Sequence, residues 1–363
     1  MKTIDTRSTS GQTRRVYTIV HHSIDARDGV GVSAVVTEGH GMVHGRIVRK
    51  QIWIIIAFIF GFSWFGIIVG IFGFPARRTS EWIAAAPLDL TGGGGGASFS
   101  ASAGKLQARA GLEKAKHLIM VAGHTVFKGT DYAEPGVDAQ DWVLLDYQSK
   151  QLDSYLQHIR VAVGLAAEDE ESLVLFSGGA TRETAGPRSE AVSYWLYADA
   201  QDWFGYNRPK NSTAKDKTAL PVRERVHTEE FARDSFQNLL FSICRFKQLT
   251  LTYPSKITVV SLPFKENRFH TLHREALRLP SSAFSFVGVG DATPEAVEGE
   301  RKNSVVPFTS DPYGCHGSLK EKREGRNPWN VESPYPKGCP ELRGLFEFCG
   351  DGIYPGPLPW DRK

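Results

Sequence analysis

Ser177-Gly178-Gly179 closes an apolar run and is followed, after a loop, by Ser189-Glu190-Ala191 at a helix start. Glycines at the end of a strand let the backbone turn sharply and bring N–H groups to an anion. Arg182 and Arg188 in the intervening loop add charge suited to a phosphate. Farther along, Asp234, Ser235 and Asn238 fall on one helical segment, with 234 and 238 sharing a face. Glycine N–H groups with Arg182 and Arg188 beside them suit an anionic ligand. Each piece also has a plainer reading. Tight turns need glycine in any case, and Ser189 and Glu190 suit a helix N-terminus electrostatically. Asn238 is more demanding, because an amide beside Leu239, Leu240 and Phe241 needs a specific partner. The chain has no G-x-S-x-G, H-E-x-x-H or kinase signature.

The elements that must position these residues alternate. HLIMVAG (117–123), SLVLFSGG (172–179), ITVVSLP (257–263) and AFSFVGVG (283–290) read as buried parallel strands. Between them, apolar spacing of three and four predicts helices from Trp142 through Ile159, over 189–201, over 229–246 and across NRFHTLHREALRLP. This order specifies an α/β fold, a Rossmann-like parallel sheet with helices on both faces. Ligands of such sheets bind outside the carboxyl ends of the strands. That selects the loops after Gly123, Gly179 and Pro263.

Before the sheet, residues 52–74 read IWIIIAFIFGFSWFGIIVGIFGF without a charge. At about 1.5 Å per residue this run crosses a hydrocarbon core of roughly 30 Å, so a single transmembrane helix is expected over 51–75. It separates a basic tail (1–50) without sustained periodicity from a Gly/Ser-rich linker (76–105), the α/β domain (106–307) and a Pro- and aromatic-rich extension (308–363) expected to wrap on the domain. Gly104-Lys105 is followed by Leu106 instead of Ser or Thr, which argues for a linker and against a phosphate loop. The tail's basic residues outnumber its acidic ones, which favours a cytoplasmic N-terminus and a domain in the ER or Golgi lumen. The alternative orientation leaves the domain cytoplasmic. Asn211-Ser212-Thr213 is a glycan acceptor sequence that agrees with the lumenal side.

A formal charge of +3 with 23% charged residues describes an ordinary globular surface and argues against a nucleic-acid binder. All four cysteines follow the apolar run. Oxidation permits two disulfides. The apolar pattern FQNLLFSICRF makes Cys244 a buried thiol, so at most one bridge is expected, among Cys315, Cys339 and Cys349. Their spacing lacks the paired C-x-x-C of a zinc site, and no metal is expected.

Taken as a series, the apolar strand with glycine, SGG, SEA, the DSFQN helix start and a later Arg resemble the YdcF-like family, domain of unknown function 218. The fit is nearest to a fungal branch with DPYG and LPW segments in its C-terminal extension. The resemblance covers roughly residues 115–290. It implies a polar site at Gly123, Ser177, Gly178, Gly179, Glu190, Asp234, Ser235, Asn238 and Arg268, and a nucleotide-like or phosphorylated ligand, with S-adenosylmethionine as one candidate cofactor. Two departures bring His124 and Lys265 to the site: VAGHTVF has His124 where the bacterial pattern continues in glycine, and Phe264 precedes Lys265 where that pattern has an aromatic-His pair. The histidine role then passes to His124, His270 or His273. Two functions follow as expectations. One is a membrane-anchored enzyme acting on a phosphate ester or lipid-linked glycan precursor, with Asp234 or Glu190 as the acid/base and the SGG loop as the anion cradle. The other is a non-catalytic ligand-binding module of envelope or secretory-pathway maintenance.

Overall fold

The structure, a computed structural model, describes residues 2–5, 16–19, 33–39, 109, 111–129, 138–207 and 220–361. The apolar run 52–74, the linker 76–105 and the Asn211 acceptor lie outside the described residues. Among the described residues no helix is long and apolar enough to cross a membrane.

Among the described residues ten strands occur in chain order: β1 (Lys2–Asp5), β2 (Val16–Ile19), β3 (Ser33–Gly39), β4 (His117–Ala122), β5 (Val126–Phe127), β6 (Trp142–Val143), β7 (Ser172–Ser177), β8 (Val226–Glu229), β9 (Lys256–Ser261) and β10 (Phe284–Gly288). Five of them, in the order β10-β9-β4-β7-β8, form a parallel sheet, while β5 and β6 pair separately as a short antiparallel ribbon. Beyond β10 the sheet continues through β3, parallel to β10, into β2 and β1, which run antiparallel. The tail was expected to lack periodic structure; it contributes these three strands instead, from runs such as VYTI and SAVVTEG that are too short to show a period by themselves.

Side chains of β4 point alternately to the two faces. Leu118, Met120 and Ala122 join one buried cluster, with α3 (Ser235–Thr250) and the C-terminal extension. Ile119 and Val121 join the other, with α1 (Leu152–Glu168) and α2 (Glu190–Ala200). A sheet covered on both faces has no solvated side, so its strands carry the near-continuous apolar runs seen in the sequence. The fold is thus α/β and Rossmann-like. By chain order the first strand of the parallel set, β4, lies in the middle. Connections wind outward to β7 and β8 on one side and to β9 and β10 on the other. The direction reverses between β4 and β9, and that is the topological switch point.

Three elements differ from expectation. The helix foreseen from Trp142 begins at Leu152; Trp142 pairs in β6, and Asp146–Gln148 forms a single 3-10 turn. β8 is an edge strand whose two central residues are only half buried, which hides its pattern. The helix across NRFHTLHREALRLP starts as a π-helix, Asn267–His273.

The cysteine expectation is also corrected. The bridges are Cys244–Cys339 and Cys315–Cys349. Cys244 is buried as expected, but the face of α3 that buries it is covered by the extension, where the turn Tyr335–Gly338 brings Cys339 alongside. Tyr313, Leu319, Tyr335, Leu342 and Leu345 of the extension are almost fully buried in the same cluster. Burying each such side chain contributes about 1.5–3 kcal/mol, so the extension is part of the core.

Candidate functional site

A cleft of about 120 Å³ opens where the switch-point argument places it, at the carboxyl ends of β4, β7 and β9. Nine of the residues selected from the sequence line it: Gly123, His124, Arg182, Glu190, Asp234, Ser235, Asn238, Lys265 and Arg268. Ser177, Gly178 and Gly179 do not line it and are used differently from what their types suggested.

The glycine turn is not an anion cradle. The Gly123 N–H donates to the Ser177 carbonyl (2.7 Å), Gly178 to the Glu229 carbonyl (3.0 Å) and Gly179 to the Ala232 carbonyl (2.8 Å). All three donors are committed to the protein itself. What demands glycine is the close approach of Glu190. A Cβ at Gly123 would lie 2.7 Å from the Glu190 Oε2, and one at Gly178 would lie 2.5 Å from it. Both glycines therefore clear space for this carboxylate at the first turn of α2, where the helix dipole favours negative charge. Its other oxygen, Oε1, accepts from the Thr181 hydroxyl at 2.7 Å, and the Ser189 hydroxyl caps the helix by accepting from the Val192 N–H.

Beneath the turn, Asn238 finds the partner its buried amide requires. Its Nδ2 donates to the Ser177 carbonyl and hydroxyl, both at 2.9 Å, and Ser177 Oγ donates to Glu229 Oε2 at 2.6 Å. The other Glu229 oxygen accepts from the Phe231 N–H at 2.8 Å. Complete burial of Glu229 pushes its carboxyl up to about 7 even though Ser177 and Phe231 pull it down. Ser177 and Asn238 thus tie β7, β8 and α3 together.

Asp234 is the N-cap of α3. Its Oδ1 accepts from the Gln237 N–H at 2.9 Å, and its Oδ2 accepts from Nε of Arg323, which belongs to the extension helix Gly317–Gly325. With both oxygens engaged, the carboxylate fixes two elements in place, and Glu190 is the other carboxylate that lines the cleft. Next to it, the hydroxyl of Ser235, the first residue of α3, lies 2.8 Å from Nε2 of His273.

Across the switch point, Lys265 Nζ meets His124 Nε2. His124 is buried, stacks on Tyr155 at 4.7 Å between ring centroids, and is held by Gln148, which donates to its carbonyl at 3.0 Å. Burial, followed by the charge of Lys265, drives the His124 imidazole well below its usual range. Burial also brings the Lys265 amine down to about 7, with Arg268 pushing the same way. Two bases in contact inside a cationic cleft cannot both carry a proton. Arg268, on the π-helix, is itself buried and ion-paired to Glu300 at 3.0 Å. His270 lies outside the cleft, edge-on to Phe284 at 5.8 Å.

The residue-by-residue reading missed Tyr147, Gln148, Thr181, Arg233 and Arg326, which also line the cleft. Arg326 comes from the extension and donates to the Arg233 carbonyl at 2.9 Å. Its sequence signal, the basic stretch KEKREGR, is indistinguishable from an ordinary solvated helix face.

Fold and site together define a Rossmann-like α/β protein with a cation-rich cleft at the switch point of its sheet. No family model matches the chain, and no solved structure matches it. It is similar to YOR238W, an uncharacterized protein of Saccharomyces cerevisiae, at 28% identity over 284 residues, covering 66% of this chain and 93% of that one.

Proposed function

We propose that this chain is a membrane-anchored, YdcF-like protein whose switch-point cleft binds a phosphorylated, nucleotide-like ligand and acts on its phosphate ester. The observation that carries this is the convergence of Arg182, Lys265, Arg268 and Arg326, drawn from three separate segments, on one small cleft. Glu190 and the already paired Asp234 are the carboxylates that face them. Cations gathered in a partly desolvated site repel one another unless an anion joins them. The volume suits a compact group such as a phosphate. The remainder of a nucleotide would extend past Tyr147, which is 69% exposed at the cleft and offers a ring face to a base. S-adenosylmethionine suits the cleft less well, because its sulfonium adds positive charge to an already positive site.

Titration calorimetry on the full chain in detergent micelles tests this with a nucleoside monophosphate, inorganic phosphate and S-adenosylmethionine. The phosphates are expected to bind, and Lys265→Met to weaken them about tenfold, which is about 1.4 kcal/mol. The pH dependence follows from the depressed Lys265 amine. At pH 8 it is mostly neutral, and a phosphate beside it restores the proton, so binding takes protons up from the buffer. Below pH 7 the amine is already charged and the uptake fades. The affinity therefore falls as pH rises above 7. Saturable binding of S-adenosylmethionine with none of either phosphate would overturn the reading.

The anchor rests on the charge-free run 52–74. The full chain is expected to stay with membranes through alkaline carbonate extraction, and a chain lacking 1–75 to be released. Release of the full chain would remove the anchor from the proposal.

A further inference from the structure

We propose that Ser235 is a nucleophile that takes a phosphoryl group from the bound ester, with His273 as its general base. This rests on the phosphate-binding reading above and assigns that cleft a covalent step. Ser235 lines the cleft as the first residue of a 16-residue helix, where the helix dipole favours accumulating negative charge. Its hydroxyl oxygen lies 2.8 Å from His273 Nε2, within reach of direct proton transfer. Among the described residues no other hydrogen bond engages Nε2, and the fully buried ring leaves its Nδ1 unpartnered.

The orientation of the base is fixed by packing. His273 stands edge-to-face against Phe308 (4.6 Å), Phe269 (5.5 Å) and Phe236 (5.7 Å), so the ring cannot swing away from Ser235. The π-helical turn Asn267–His273 directs Arg268 to the cleft while placing His273 behind Ser235, and π-turns of this kind concentrate at functional sites. Burial and the nearby charges of Arg268 and Arg323 keep the resting imidazole neutral, the state a base needs. A phosphate dianion beside Arg268 in the cleft offsets that arginine's effect on the ring, which raises the proton affinity of His273 when substrate is present.

The step balances as follows. Ser235 Oγ attacks phosphorus and its proton passes to His273 Nε2. The bond from phosphorus to the ester oxygen breaks, and the departing oxygen takes a proton from the Lys265 ammonium in the same cleft. Water then attacks the phosphoserine, the P–Oγ bond breaks, and Oγ recovers its proton from His273 while Lys265 takes one from the water. The net change is hydrolysis of the ester to an alcohol and inorganic phosphate. The same chemistry runs on inorganic phosphate alone, with water as the leaving group.

Oxygen exchange between inorganic phosphate and ¹⁸O-water, catalysed by the full chain in detergent micelles, therefore tests the proposal without knowledge of the natural alcohol. Wild type is expected to exchange and to yield phosphoserine at 235 after an acid quench. Ser235→Ala should lower exchange at least about 100-fold while still binding phosphate by calorimetry, and His273→Gln should do the same. A Ser235→Gly chain that binds phosphate without exchange guards against misfolding of the alanine variant. Exchange surviving Ser235→Ala, or phosphate binding by wild type with neither exchange nor phosphoserine, would overturn the nucleophile and leave the binding reading standing. Failure of wild type to bind phosphate at all would remove the binding reading, and this inference with it.

Discussion

Replacing Arg268 with Met is expected to destabilise the fold by about 3–5 kcal/mol, measured by urea unfolding. Arg268 and Glu300 form an ion pair at 3.0 Å with side chains only 11% and 7% exposed. Removing the guanidinium leaves a carboxylate in a dry setting without its ion-pair partner. Had the pair been on the surface, the same change would cost under about 1 kcal/mol. The double variant Arg268→Met/Glu300→Leu should recover most of the loss, because neither charge then has to be desolvated. Its phosphate affinity should stay low, since the cation is still missing. Recovery of both stability and affinity in the double variant would show that Arg268 serves only Glu300.

Although close, Arg268 Nε and Glu300 Oε1 are not aligned as a hydrogen bond. Arg268 lies within one π-helical stretch, Asn267–His273, and Glu300 directly precedes another, Arg301–Val305. The extra residue per turn in these stretches points side chains off the regular helical register.

The sequence made the sheet legible because four strands carry uninterrupted apolar runs, which only a doubly covered parallel sheet demands. It made the location of the cleft legible because the carboxyl ends of those strands are a property of topology and not of any one side chain. Roles were less legible. Asp at a helix start reads equally as cap or catalyst, and only the contacts with Gln237 and Arg323 decide for the cap. Gly123 and Gly178 were legible as a close approach, but whether the approaching group was a ligand or Glu190 depended on the fold. Arg323, Arg326 and the Cys244–Cys339 bridge were out of reach, because they depend on how a segment without clear periodicity docks on α3.

That docking makes the second large prediction. The Cys244–Cys339 bridge spans 95 residues and joins α3 to the extension. By the chain-entropy account a loop of this size restricts the unfolded chain by about 4–5 kcal/mol, and removal of a native bridge typically costs about 2–5 kcal/mol. The double variant Cys244→Ala/Cys339→Ala should therefore lose about 2–5 kcal/mol in urea unfolding under non-reducing conditions. A functional consequence should come with it, because the same extension supplies Arg323 to Asp234 and Arg326 to the cleft. Phosphate affinity is expected to fall by more than in Cys315→Ala/Cys349→Ala. That second bridge joins two points of the extension, 34 residues apart, and its removal leaves the attachment to α3 intact. The two bridges differ little in loop entropy, since the cost grows only with the logarithm of length. Any difference in binding must then come from what each one holds. Equal affinity in the two variants, or a loss below about 1 kcal/mol on removing Cys244–Cys339, would mean that the buried Tyr335, Leu342 and Leu345 suffice to seat the extension, and that the disulfide has no part in building the cleft.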